Sequence, residues 1–216
     1  MIAQSPRWAR CLTVAVLAGA IVVVGVPTIR ESILRAAGRA LVVDEPVEPA
    51  DIIVIALDTK GAGVLEAADL VRSGLATQVA VFADLSDPVD REFLRRGIPY
   101  EDTAARSTHQ LKSLGVTAIQ QIPRAAGTEA EGRVLPDWCD QRQFRSVVLV
   151  TTPDHSRRLR RVLHRSMKGH HTRVMVRSAR YSAFDPDGWW ETRGGIRTEI
   201  IELQKLLLDV LLHPIS

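Results

Sequence analysis

The sequence predicts an α/β domain, a mainly parallel sheet of about five strands with helices on both faces, preceded by one transmembrane helix. Three observations carry that expectation. Short β-branched runs alternate with helical patterns from residue 51 onward. Several of these runs are apolar at consecutive positions, as in strands buried on both faces. An uncharged apolar stretch, residues 11–26, stands ahead of them.

Carried on through Pro27 and Thr28 to Ile29, that stretch is long enough to cross a hydrocarbon core of about 30 Å as a helix. Arg7 and Arg10 precede it, as basic residues precede both signal peptides and uncleaved anchors. A buried core helix is disfavoured because the run is apolar on every face. A cleaved signal is disfavoured because Ala18-Gly19-Ala20 lies mid-run and no small-x-small pattern closes it near Pro27. The expected organisation is therefore a cytoplasmic tip and retained anchor over 1–29, a linker over 30–48, and the α/β domain over 49–216. Arg30, Arg35 and Arg39 follow the stretch, so the positive-inside rule orients it only weakly.

In the linker, a helical stretch over 31–41 leads into the acidic, proline-broken VDEPVEP. Strands are expected over 51–57, 78–82, 117–122, 146–151 and 172–176. Helices are expected over 63–73, 90–96, 108–114, 128–142, 155–168 and 197–212, with Pro136 marking a kink or an early end of the fourth. Hydrophobic residues at 46% and charged residues at 25% fit a folded chain, and a net charge of +3 is too small to indicate a nucleic-acid partner. Cys11 and Cys139 belong to different segments and have no zinc-ligand spacing around them, so neither a bridge between them nor a metal site is expected.

In parallel sheets of this kind ligands sit at the carboxyl ends of the strands, often against helix amino-termini. The loop after the fourth strand reads Thr151-Thr152-Pro153-Asp154-His155-Ser156-Arg157-Arg158. His155 there suits acid–base work, and Arg158 lies one turn along the same helix face as an anion clamp. The bland alternative is that Asp154 or Thr152 caps the helix and His155 is solvated. Thr128 and Glu131 form a capping box in sequence, and Glu131 could equally supply a catalytic carboxylate. Asp58, after the first strand, is a ligand-binding candidate on position. The basic helix with Arg157, Arg158, Arg160, Arg161, Arg165 and Lys168 reads first as a solvated face, and second as a contact for phosphates or anionic lipid. His164, His170 and His171 do not share a helix face, which argues against metal. Trp189 and Trp190 read as packing, and Glu199, Glu202 and Lys205 as surface pairs. Neither a Walker loop, nor a dinucleotide fingerprint, nor a Gly-x-Ser-x-Gly elbow is present.

Together, several of these features resemble the YdcF/SanA/ElyC-like family of bacterial envelope proteins. They are the apolar amino-terminal run, Ala50-Asp51 at the first strand, the helix ending Leu70-x-x-x-Gly74, the Thr128…Glu131 entry, Val150-Thr151-Thr152-x-x-His155-x-x-Arg158, and Trp189-Trp190 before a final helix. The resemblance implies a Rossmann-like domain held at the bacterial inner membrane on the extracytoplasmic side. Its implied role is in cell-envelope metabolism, with a phosphorylated or lipid-carrier-linked ligand, envelope proteins as partners, and S-adenosylmethionine as a cofactor known within the family. By that resemblance His155 and Glu131 are the catalytic candidates, and Thr128, Thr151, Thr152, Arg158 and Asp58 the ligand-binding ones. The chain departs from the family where glycine-rich turns follow the first two strands, having Leu57-Asp58-Thr59 and Ala83-Asp84-Leu85. It also has Val64, Leu65 and Glu66 where the family carries an arginine. These departures leave open a non-catalytic factor working through protein partners.

Overall fold

The computed structural model describes Trp8 and residues 25–83, 88–99 and 101–214. Five strands, β1 (Ile52–Ile55), β2 (Val79–Phe82), β3 (Ile119–Ile122), β4 (Ser146–Thr151) and β5 (Arg173–Ser178), form one sheet in the order β3-β2-β1-β4-β5. Every neighbouring pair is parallel. The helices are α1 (Pro27–Ala40), α2 (Lys60–Arg72), α3 (Pro88–Arg95), α4 (Thr103–Ser113), α5 (Thr128–Arg142), α6 (Pro153–Ser166) and α7 (Arg193–Leu212). The expected mainly parallel α/β sheet of about five strands is thus present, and all of its pairings are parallel.

The expected membrane span lies, for residues 11–24, outside the described residues. Residues 27–29 belong to α1, which opens with Pro27 at its first position, where the fixed φ and missing N–H cost nothing. Among the described residues no helix is long and apolar enough to cross a membrane. The turn residues Asp84 and Leu85 also lie outside the described set.

Local chemistry explains where the helices begin. The Asp102 carboxylate accepts from the Ala105 N–H at 2.6 Å and starts α4 at Thr103, five residues earlier than periodicity suggests. Thr192 does the same for α7, accepting from the Gly195 N–H at 2.9 Å. Pro136 sits within α5 without ending it.

Alternation along the strands divides the core into two layers. Ile52 and Val54 of β1 point to one face, with Leu135 and Trp138 of α5 and Leu159 and Leu163 of α6. Ile53 and Ile55 point to the other, with Val64 and Leu70 of α2 and Leu111 of α4. All four β1 residues are buried, and each such aliphatic side chain contributes about 1.5–3 kcal/mol. Gly132 lets α5 and α6 approach, since a Cβ there would stand 2.5 Å from Val162.

The acidic stretch after α1 is built into the domain and closes the β5 edge. The Glu45 N–H donates to the Val176 carbonyl at 3.0 Å, and the Glu45 carboxylate accepts from the Val176 N–H at 2.7 Å. Asp44 accepts from the Ser178 N–H, and Glu48 pairs with Arg173. An exposed edge is a template for unwanted pairing, and this arrangement removes it.

The basic helix α6 is not a solvated face. Arg157 donates to the carbonyls of Ala40 and Val42, Arg158 to Glu202, Arg160 to Glu45, Arg161 to Asp209, and Arg165 to Asp209 and Glu129. Its guanidinium groups tie α6 to α7 and to the connector. Glu199, Glu202 and Asp209 of α7 are correspondingly buried, which corrects the expectation of surface pairs for the first two.

Candidate functional site

The strand order reverses between β1 and β4, since β2 and β3 lie to one side and β5 to the other. Ligands of open parallel sheets bind in the crevice outside the carboxyl ends at such a point. Four segments converge there: the 3-10 turn Leu57–Thr59, the first turn of α5, the first turns of α6, and the middle of α7.

From β1, Leu57 presents its N–H to Glu131 Oε1 at 2.7 Å, joining the first strand to α5. That bond corrects the capping-box reading. Gly127 occupies the cap position with no side-chain hydrogen bond, Thr128 is the first helical residue, and the Glu131 carboxylate reaches the β1 turn instead. Glu131 is 2% exposed. Burial pushes its pKa up to about 7; the Leu57 N–H works against this, and Asp58 adds to it.

From β4, Thr152 occupies the cap position of α6 without a side-chain cap bond, and Pro153 sits inside the start. His155 follows, with Nδ1 at 3.0 Å from Glu202 Oε2. Its Nε2 stands 3.8 Å from Asp58 Oδ2 and 3.7 Å from Asp154 Oδ2. Burial alone would lower the His155 pKa, but Glu202, Asp154 and Asp58 outweigh it and raise the value. Glu202 is buried too, yet His155, Lys205 and Arg158 bring its pKa down to about 2. Glu202 Oε2 and Arg158 Nη2, the latter 3.1 Å away, both lie against Nδ1, and this turns Nε2 toward Asp58, the half-exposed member of the group.

Arg158 places Nε and Nη2 each 3.3 Å from Glu202 Oε2, and Lys205 reaches Glu202 Oε1 at 2.7 Å. Both cations are engaged by one carboxylate, and the Nε2 side of His155 faces Asp58. A buried acid with its pKa pushed up to about 7, and a histidine whose pKa its carboxylate neighbours raise, place two titratable groups at the same strand ends.

The structure brings together Asp58, Glu131, His155 and Arg158 of the expected set. Thr128 and Thr151 are buried beside them; the Thr151 carbonyl accepts from the Ala179 N–H at 2.7 Å. Thr152 is buried with its hydroxyl unpartnered. Both Glu199 oxygens are likewise buried without a hydrogen-bond partner, and burial together with Asp154 raises that pKa to about 7. Sequence reasoning missed Glu202 as the residue that orients His155. The available signal was the seven-residue spacing of Glu202 and Asp209, two carboxylates on one face of a helix whose last two turns are otherwise mostly aliphatic. Among the described residues no group of three His, Cys, Asp or Glu side chains is placed to hold a metal ion.

Fold and site define an α/β domain of Rossmann-like type with an ionisable cluster at its switch point. No protein-family description matches the sequence, and no curated protein matches it. Among solved structures, the chain is similar to a universal stress protein in complex with cAMP. The TM-score is 0.37 and the identity 14%, covering 61% of this chain and 99% of that one. It is also similar to the rRNA methyltransferase aviRa from Streptomyces viridochromogenes, with TM-score 0.30 and 12% identity over 69% and 73% of the respective chains. At these values the likenesses carry no argument about ligand or activity.

Proposed function

We propose that this chain is a single-pass bacterial inner-membrane protein whose extracytoplasmic domain acts on a small phosphorylated or lipid-carrier-linked ligand in cell-envelope metabolism. One observation carries the site: Asp58, Glu131, His155 and Arg158, from three separate segments, are gathered where β1 and β4 end. In this reading His155 transfers a proton at Nε2 and Glu131 supplies the second acid. Glu202 positions the imidazole, and Arg158 holds Glu202. The anionic part of the ligand would meet His155 in its protonated form and the N–H groups of Thr128 and Glu129 that open α5. The membrane role is supported by the apolar run over 11–29 and by the exposure of residues 27–30, where α1 leads away from the domain. The resemblance to the YdcF/SanA/ElyC-like family supports the envelope setting.

A second reading, a non-catalytic factor acting on protein partners, draws on the engagement of both Arg158 and Lys205 by Glu202. Thermal shift on the detergent-solubilised full chain separates the two. The probes are S-adenosylmethionine, nucleotides and phosphorylated isoprenoids. A ligand at about 100 times its Kd adds about 2.7 kcal/mol of apparent stability. The first reading expects a shift that His155→Ala abolishes while the fold persists. No shift with any probe, together with full complementation by His155→Ala, would select the second.

A further inference from the structure

The last helix is inside-out relative to an ordinary surface helix. Its inward stripe, Gly195, Glu199, Glu202 and Asp209, is buried and carries three carboxyl groups, of which Glu202 and Asp209 meet the arginines of α6. Its outward side is aliphatic. Ile196, Ile200, Ile201, Leu207, Leu208, Val210, Leu211 and Leu212 are between 36% and 69% exposed. Polar residues normally take that side of a helix packed on a domain.

We infer that this face is a homodimer interface, in which α7 pairs with α7 of a second copy of the chain, antiparallel about a two-fold axis at Gln204.

Four observations select that occupant. The first is spacing. Arg197, Ile201, Gln204, Leu208 and Leu211 follow one another at intervals of four, three, four and three along the outward side. Three of these five positions are aliphatic, Ile200, Leu207 and Leu212 flank them, and Gln204 is the single uncharged polar residue among them that can set the register of a helix pair. The second is composition. A helix lying in a lipid interface carries basic residues on its polar side and aromatic residues on its apolar side. α7 has carboxylates on its polar side and no aromatic residue at all. The third is size. Monomers rarely expose apolar patches beyond about 300–600 Å². A standard interface takes about 800 Å² from each partner, the order that eight large, half-exposed aliphatic side chains supply. The fourth is charge. A two-fold axis at Gln204 sets the two amides opposite each other, where they can exchange hydrogen bonds, and Ile201 against the partner's Leu207 and Leu208. Antiparallel pairing puts the two Arg197 side chains at opposite ends, whereas parallel pairing would face them directly. Lys205 is drawn back toward Glu202 of its own helix, at 2.7 Å.

The inference stands independently of the ligand site, and its test leaves that site untouched. Gln204→Cys is placed in the full chain carrying Cys11→Ser; the remaining Cys139 is buried. Lysates of cells expressing it are oxidised mildly before any detergent is added, and run without reductant. The expected product has twice the 23.8 kDa chain mass. The paired variant Ile201→Cys/Leu208→Cys should give the same product, and Lys112→Cys, on α4, should not. Adding Leu208→Asp and Leu211→Asp should reduce the Gln204→Cys product at least tenfold while the far-UV circular dichroism of the purified chain is unchanged. A product of any other mass would overturn the assignment in favour of a different protein partner. No product at Gln204 or at the Ile201/Leu208 pair would overturn it outright. If those cysteines then also resisted a water-soluble maleimide until the membrane was dissolved, the face would be covered by lipid.

Discussion

The sheet and the α6–α7 layer are held together by opposite means. Along β1 and β4 the buried contacts are aliphatic, and Ile52, Ile53, Val54, Val147, Val148, Leu149 and Val150 are all fully shielded. One layer further out, α6 and α7 meet through Arg158–Glu202, Arg161–Asp209 and Arg165–Asp209. Apolar burial needs only approximate size and shape, so it tolerates conservative exchange. A partly buried ion pair needs both partners, since removing one leaves an uncompensated charge. The difference teaches where the molecule is fragile. The sheet can lose volume gradually, whereas the outer layer fails at single charges and at the point where it also builds the site.

The largest effect is expected at that failure point. Glu202→Ala strands Arg158 and Lys205 and frees His155, and should destabilise the domain by about 3–5 kcal/mol in denaturant unfolding. Glu202→Gln keeps the volume and removes the charge. It should drop the His155 pKa below its raised value, as read by NMR titration of the imidazole. An unchanged titration would show that Glu202 does not set the charge of His155. Next comes the sheet: Leu149→Ala should cost about 2–5 kcal/mol by loss of burial and the cavity left behind. The contrast sharpens in a third set. Asp209→Ala alone should cost about 3 kcal/mol, because Arg161 loses its carboxylate and Arg165 keeps only the exposed Glu129. The triple variant Asp209→Leu/Arg161→Met/Arg165→Met exchanges the whole cluster for apolar side chains, and should recover that loss or exceed it. If the triple variant is as unstable as Asp209→Ala, the layer does not behave as a substitutable charge network.

The same contrast decides what could be read from the sequence. The continuous runs IIVI, VAVF and SVVLVT announce buried parallel strands because a strand between two helical layers has no polar face to show. The position of the site was legible as well, since strand-end loops are set by topology; Asp58, Glu131, His155 and Arg158 meet there. What was not legible is partnership across the chain. Arg161 and Arg165 look like solvent-facing charges until Asp209 is known to lie against them, and pairs separated by about forty residues or more leave no local periodicity. Glu131 was misread for the same reason. A glutamate three residues after a threonine satisfies the local capping pattern, while the true partner, the Leu57 N–H, comes from β1. The acidic run after α1 looked like a linker because prolines and carboxylates are loop residues, yet those carboxylates are what fasten it to β5.

The smallest expected effect concerns pH, and it tests the buried carboxyls directly. Glu202, with its pKa down at about 2, contributes stability above the ordinary carboxyl range that is lost as pH falls from about 4.5 toward 2. Glu131 and Glu199 act in the reverse sense. Their pKa values rise from 4.5 to about 7, so the folded state binds more protons than the unfolded one between those limits, and stability declines as pH climbs through that window. His155 adds to the decline, because its raised value makes its contribution fade only above the ordinary imidazole range. The domain should therefore be most stable near pH 4.5 and weaken toward about pH 8, which thermal melts across the range would show. Glu199→Gln separates the contributions. It keeps the shape, removes the group that must ionise while buried without a hydrogen-bond partner, and touches neither His155 nor Glu202. The variant should be more stable than the parent by up to about 3 kcal/mol at about pH 8 and nearly equal to it at about pH 4.5. A gain of the same size at both pH values would mean that Glu199 is neutral throughout and that the decline belongs to Glu131 and His155 alone.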